Sequence, residues 1–256
     1  MWKTVRIAIL SLVLALVALY TWADRRRMAE WDQTAWIAVF PVNGDGAART
    51  DEYVSGLTRE RFADIERFFA REAGAFGVPL ERPVHVELYA PVEAMPPLLE
   101  PGTGLLGRVA WSLRMRWFSW RHAGDALADI RVFVIYHDPD RVEAVPHSLG
   151  LQKGLLGVVY AYADPAADAT NSLVIAHEAL HALGATDKYD LATNLPVYPD
   201  GYGEPDAEPR HPQAFAEIMA GRVAVSPGEA RMPAGLGEAV VGARTAQEIG
   251  WLRASP

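Results

Sequence analysis

The segment Ser172 to Gly184 reads SLVIAHEALHALG and sets His177, Glu178 and His181 in the order H-E-x-x-H. Residues four apart lie on one face of a helix, so both imidazoles can reach one metal ion while Glu178 projects beside them toward a metal-bound water. A chain with seven histidines yields this pattern by accident only about 0.01 times. Leu173, Val174, Ile175, Ala176, Leu180 and Leu183 predict a buried helix, where two histidines and a glutamate are costly unless a metal or hydrogen bonds compensate them.

Zn²⁺ sites that catalyse use three protein ligands and keep a position for water. The third must come from beyond the helix. Gly184 can take the left-handed conformation that ends a helix and turns the chain back, which carries Asp187 toward the metal. Glu217, Asp190 and His211 are the rival third ligands.

The string His177-Glu178-x-x-His181-x-x-Gly184-x-x-Asp187 resembles the extended motif of metzincin peptidases, with Asp in place of the third His as in the snapalysin-like small zinc proteases. Glu217-Ile218-Met219-Ala220-Gly221 is similar to the methionine turn that lies beneath the metal in that family. The resemblance implies a zincin fold, Zn²⁺ held by His177, His181 and Asp187, Glu178 as general base, and a peptide or protein substrate. It departs at Gly221, where metzincins often carry a tyrosine, so Tyr189 and Tyr198 are the candidates for that tyrosine's part. Like other zincins, such an enzyme binds an extended peptide along an edge strand, and Ile130 to Tyr136 and Leu156 to Ala163 are the candidate edges. The expected function is zinc-dependent peptide hydrolysis. The alternatives are a catalytically inactive zincin-fold binding protein and a scaffold at the membrane surface.

The elements that must position this motif follow from apolar periodicity. Ala35 to Phe40 reads as a strand ended by Pro41, and a helix capped by Thr50 follows, with Tyr53, Leu57, Ile65, Phe68, Phe69 and Phe76 facing the core. Val84 to Tyr89 alternates as a half-buried strand that leaves His85 in solvent. Val109 to Arg121 reads as a basic, Trp-rich helix, packed on the core or lying on a membrane surface. Strands at Ile130 to Tyr136 and Leu156 to Ala163 lead into the motif helix from Thr170. The long loop 187–213 should wall the substrate cleft. The expected class is α+β, a zincin-like mixed sheet with a backing helix and an active-site helix.

Composition bounds the rest. The 256 residues are 50% hydrophobic and 22% charged, which suits one globular domain. The absence of cysteine excludes disulfides, thiolate metal sites and a cysteine nucleophile. Residues 1–27 carry a net +4, so the remainder carries −12 of the total of −8, and nucleic acid is not an expected partner. Ile7 to Ala23 is a run of 17 uncharged residues flanked by Trp2, Tyr20 and Trp22. It predicts one transmembrane helix, with Arg25 to Arg27 opposing its cleavage as a signal peptide. The chain then divides into an anchor with basic flank (1–27), a linker (28–34) and a metallopeptidase domain (35–256). The expected placement is single-pass, with the domain extracytoplasmic, although the flanking charges balance.

Overall fold

The computed structural model describes residues 30–99, 102–142, 149–151 and 155–252, together with Arg6. Strand β1 (Ala35–Asn43) leads through helix α1 (Ala48–Ser55), a 3₁₀ turn at Arg59–Phe62 and helix α2 (Ala63–Ala75) to strand β2 (Val84–Leu88). Helix α3 (Leu105–Ala123) then precedes β3 (Ile130–His137), β4 (Leu149–Leu151), β5 (Leu156–Tyr162) and helix α4 (Asp168–Leu183). The short strands β6 (Ala216–Glu217), β7 (Val223–Ser226), β8 (Glu229–Arg231) and β9 (Ala239–Val240) come before the last helix, α5 (Ala243–Glu248).

The main sheet has the order β2-β1-β3-β5-β4. Its first four strands are parallel and β4 alone is antiparallel, along Leu156 to Val158 of β5. Period-two alternation divides its side chains. Ile37, Val39, Val132 and Val134 join the core shared with α1, α2 and α4, whereas Ala38, Phe40, Phe133 and Ile135 pack on Met115 and Phe118 of α3. Helices therefore cover both faces. This is the α/β arrangement of a mostly parallel sheet, and it corrects the expected α+β layer: β1 and β3 are buried on both sides, and buried parallel strands read as continuous apolar runs.

Two expected boundaries shift. Pro41 does not end β1, because β2 pairs only as far as Val39 and the missing N–H falls where no strand remains to receive it. Thr50 is no cap but a fully buried residue within α1, and the expected single helix divides at Gly56, a poor helix former, into α1 and α2. Trp31, assigned to the linker, is buried in edge contact with Trp251 and donates to the Ile249 carbonyl at 2.7 Å. His85 is held between Arg59 and Glu87 and packs on Trp36.

The transmembrane helix expected over residues 7–23 is also corrected. Among the described residues no helix is long and apolar enough to cross a membrane, and residues 7–23 lie outside them. Even the 19-residue α3 carries four arginines. Among the described residues the fold thus carries no spanning helix, and the single-pass placement is withdrawn with it. Helix α3 buries Trp111, Met115 and Phe118 against the sheet, while Leu106, Leu113, Trp117 and Trp120 stay exposed on its outer side.

Candidate metal centre

Helix α4 sets the first half of the site. Its N-terminal end is tied to the sheet by Asn171, whose side chain accepts from the Tyr162 N–H and donates to the Tyr162 carbonyl. Its C-terminal end closes at Gly184 with φ 116°. There the Gly184 N–H donates to the His181 carbonyl and the Ala185 N–H reaches back to that of Leu180, the paired bonds of a Schellman cap. The cap also fixes the His181 ring, because the Ala185 carbonyl lies 2.9 Å from His181 Nδ1. His177 Nδ1 is held likewise, 2.8 Å from the Ile218 carbonyl. A carbonyl only accepts, so each Nδ1 carries a proton; the neutral ring then turns the Nε2 lone pair to the other side, and the charged ring donates from Nε2.

Both Nε2 atoms meet the carboxylate predicted from Gly184. Asp187 Oδ1 is 3.3 Å from His177 Nε2 and 3.1 Å from His181 Nε2. Ligand bonds of about 2.0–2.1 Å in a tetrahedron give donor separations of about 3.3 Å, and both Asp187 separations match the spacing that one zinc ion requires. His177, Glu178 and His181 also form a group that can hold a metal ion, with ligand atoms within 4.8 Å of one another. Glu178 is buried, and its Oε2 has no hydrogen-bond partner among the described residues. A buried acceptor left orphaned beside two imidazoles is costly unless a metal ion or a hydrogen-bond donor enters the site.

Charge at the site follows burial and pairing. Burial pushes the Glu178 carboxyl up, against the pull of His177 and His181. Burial also acts to raise Asp187, but hydrogen bonds from both histidines outweigh it and hold this carboxyl well below the usual range. For His177, burial favours the neutral ring, yet Asp187 and Glu178 together raise it. The Tyr189 hydroxyl is pushed up by burial and then by the charges of Asp187 and Glu178. Tyr198 is 45% exposed with Arg210 stacked on its ring.

The rival ligands are otherwise engaged. Glu217 is fully buried and accepts from the N–H groups of Met219, Ala220 and Gly242 and from the Thr245 hydroxyl. Asp190 accepts from Ala192 and Thr193 in a local turn, and His211 Nε2 is 3.0 Å from the Tyr202 hydroxyl. Met219 is fully buried and belongs to the same core cluster as Ala176, Ala179 and Leu180 of α4. The candidate edge at β3 is corrected, since β3 is interior, whereas β4 covers only Leu156 to Val158 of β5 and leaves the remainder of β5 open on that side among the described residues. The sheet edges are β2 and β4. Sequence reasoning missed Lys188, Thr245 and Glu248, which bond around these segments; only the adjacency of Lys188 to Asp187 signalled any of them.

No protein-family profile matches this chain, and no curated protein matches it. Among solved structures it is similar to wild-type OgpA from Akkermansia muciniphila, with 13% identity over 84% of this chain and a TM-score of 0.41. The match spans 60% of the OgpA chain. So distant a likeness carries no argument about chemistry, which rests on the donor geometry.

Proposed function

We propose that the protein is a zinc-dependent metallopeptidase of metzincin type, with His177, His181 and Asp187 as ligands and Glu178 as general base. The observation that carries this reading is the approach of both Nε2 atoms to one Asp187 oxygen while both Nδ1 atoms are held by carbonyls. A bound zinc ion supplies Lewis acidity and a water of lowered pKa. Glu178, raised by burial, accepts the proton of the attacking water and delivers it to the leaving amine. Tyr189 donates its hydroxyl hydrogen to the oxyanion that develops on the scissile carbonyl, the part that Gly221 cannot play. An extended substrate pairs with the antiparallel edge strand β4, which packs near α4.

Chelator-treated protein should lose cleavage of a fluorogenic peptide library and recover it with one equivalent of Zn²⁺. A protein that binds Zn²⁺ tightly yet cleaves nothing in the library would sink the peptidase reading in favour of a binding protein built on the same site.

A further inference from the structure

The two parts of the site that lie outside α4 are distant in sequence, yet both end on one six-residue helix. On one side, Thr245 Oγ1 donates to Glu217 Oε1 at 2.7 Å and the Gly242 N–H donates to the same oxygen at 3.1 Å. Glu217 Oε2 accepts the Met219 and Ala220 N–H groups at 2.7 and 3.1 Å. That carboxylate therefore fixes the turn whose Ile218 carbonyl holds His177. On the other side, Glu248 accepts from the Thr186 N–H and hydroxyl, both at 2.9 Å, and from Lys188 Nζ at 2.8 Å. Thr186 and Lys188 flank Asp187. The Lys188 N–H also donates to the Met219 carbonyl at 3.0 Å, which joins the two arms directly.

These groups are not surface decoration. Glu217 and Thr245 are fully buried and Lys188 is 6% exposed, so each loses hydration that only its partners replace. Thr245 and Glu248 are three residues apart and share one face of α5.

We propose that α5 is the strut of the metal centre: Thr245 is a positioning residue for His177, acting through Glu217 and the Ile218 carbonyl, and Glu248 is a positioning residue for Asp187, acting through Thr186 and Lys188. The spacing between the two ligands is then set by one helical turn, with the Lys188 N–H to Met219 carbonyl bond as the single direct tie between the arms that the argument uses. The inference rests on the reading of His177 and Asp187 as ligands.

The test uses Thr245→Val, Glu248→Gln, their double variant and Thr245→Ser, which keeps the hydroxyl. Zn²⁺ affinity is measured by chelator competition, the visible spectrum of the Co²⁺-loaded protein reports ligand geometry, and ¹⁵N shifts report the ring tautomers of the metal-free protein. Each of the first two variants should weaken Zn²⁺ binding by about 10–100-fold, the usual effect of an outer partner. The double variant should lose less than the product of the two, because the arms share a support. Thr245→Val should disturb the His177 tautomer and leave His181, held by Ala185, unchanged; Thr245→Ser should restore the parent. Variants that melt earlier but keep the parent's Zn²⁺ affinity, Co²⁺ spectrum and His177 shifts would overturn the proposal and reduce α5 to packing. If His177→Ala and Asp187→Ala themselves leave Zn²⁺ affinity unchanged, the ligand reading has failed instead.

Discussion

The helix-borne half of the site and the loop-borne half are held by different physics. His177, Glu178 and His181 take their relative positions from one regular element, whose i, i+4 geometry is fixed by backbone hydrogen bonds within sixteen residues of chain. Asp187 and the turn at Ile218 and Met219 belong to segments without regular structure of their own. They are located by side-chain bonds to Lys188, Glu217, Thr245 and Glu248, across separations of up to 62 residues. The helical half is set by local interactions, and the loop half by buried polar partners that stabilise only when all are present.

The comparison breaks most sharply at Glu178. Glu178→Gln keeps the helix and both imidazoles, so Zn²⁺ content should match the parent while peptide hydrolysis falls about 10²–10⁴-fold, as measured by kcat/KM on the library's best peptide. Activity above a tenth of the parent removes Glu178 from the role of base.

On the loop half, Asp187→Ala should weaken Zn²⁺ binding by more than the about 100-fold that loss of an outer partner brings. Dialysis against a chelator would check this, with the Glu217→Ala variant alongside. If the Glu217 variant loses metal faster than the Asp187 variant, the ligand assignment has been made to the wrong carboxylate.

Gly184 joins the halves and offers a smaller effect. Its φ of 116° disfavours any side chain, and a Cβ there would stand 3.3 Å from the Glu248 carbonyl oxygen. Gly184→Ala should cost about 1–3 kcal/mol in denaturant unfolding and also loosen Zn²⁺, because the strain falls between His181 and Asp187. A stability loss with unaltered Zn²⁺ affinity would show that the junction does not control the loop half.

The smallest effect concerns acid. Burial acts to raise the Glu248 carboxyl, but the hydrogen bonds from Lys188 and Thr186 and the charge of Lys188 hold it below its ordinary value. A carboxylate lowered on folding adds stability that is complete above its unfolded pKa and is lost as the pH falls through the folded one. The melting temperature of the metal-free protein should therefore decline into acid less steeply in Glu248→Gln than in the parent. Parallel curves would show that Glu248 does not contribute to the acid limb.

The amino-acid sequence by itself determined the parts of this protein that repeat at short range. The periodicity of residues 172–183 defined α4 nearly to its ends, the motif spacing put two imidazoles on one face, and Gly184 marked the turn to Asp187. Apolar runs located β1, β3 and β5 and alternation located β2, since both signals are local. What only the tertiary structure decided is the neighbourhood of each element. Strand order left β3 interior and β4 at the edge, and both faces of the sheet acquired helices, which no run of residues encodes alone. Glu217 offers the same carboxylate chemistry as Asp187 in sequence. Four donors from Met219, Ala220, Gly242 and Thr245 made it a fastener of the turn, because a buried carboxylate takes its role from the groups that fold against it.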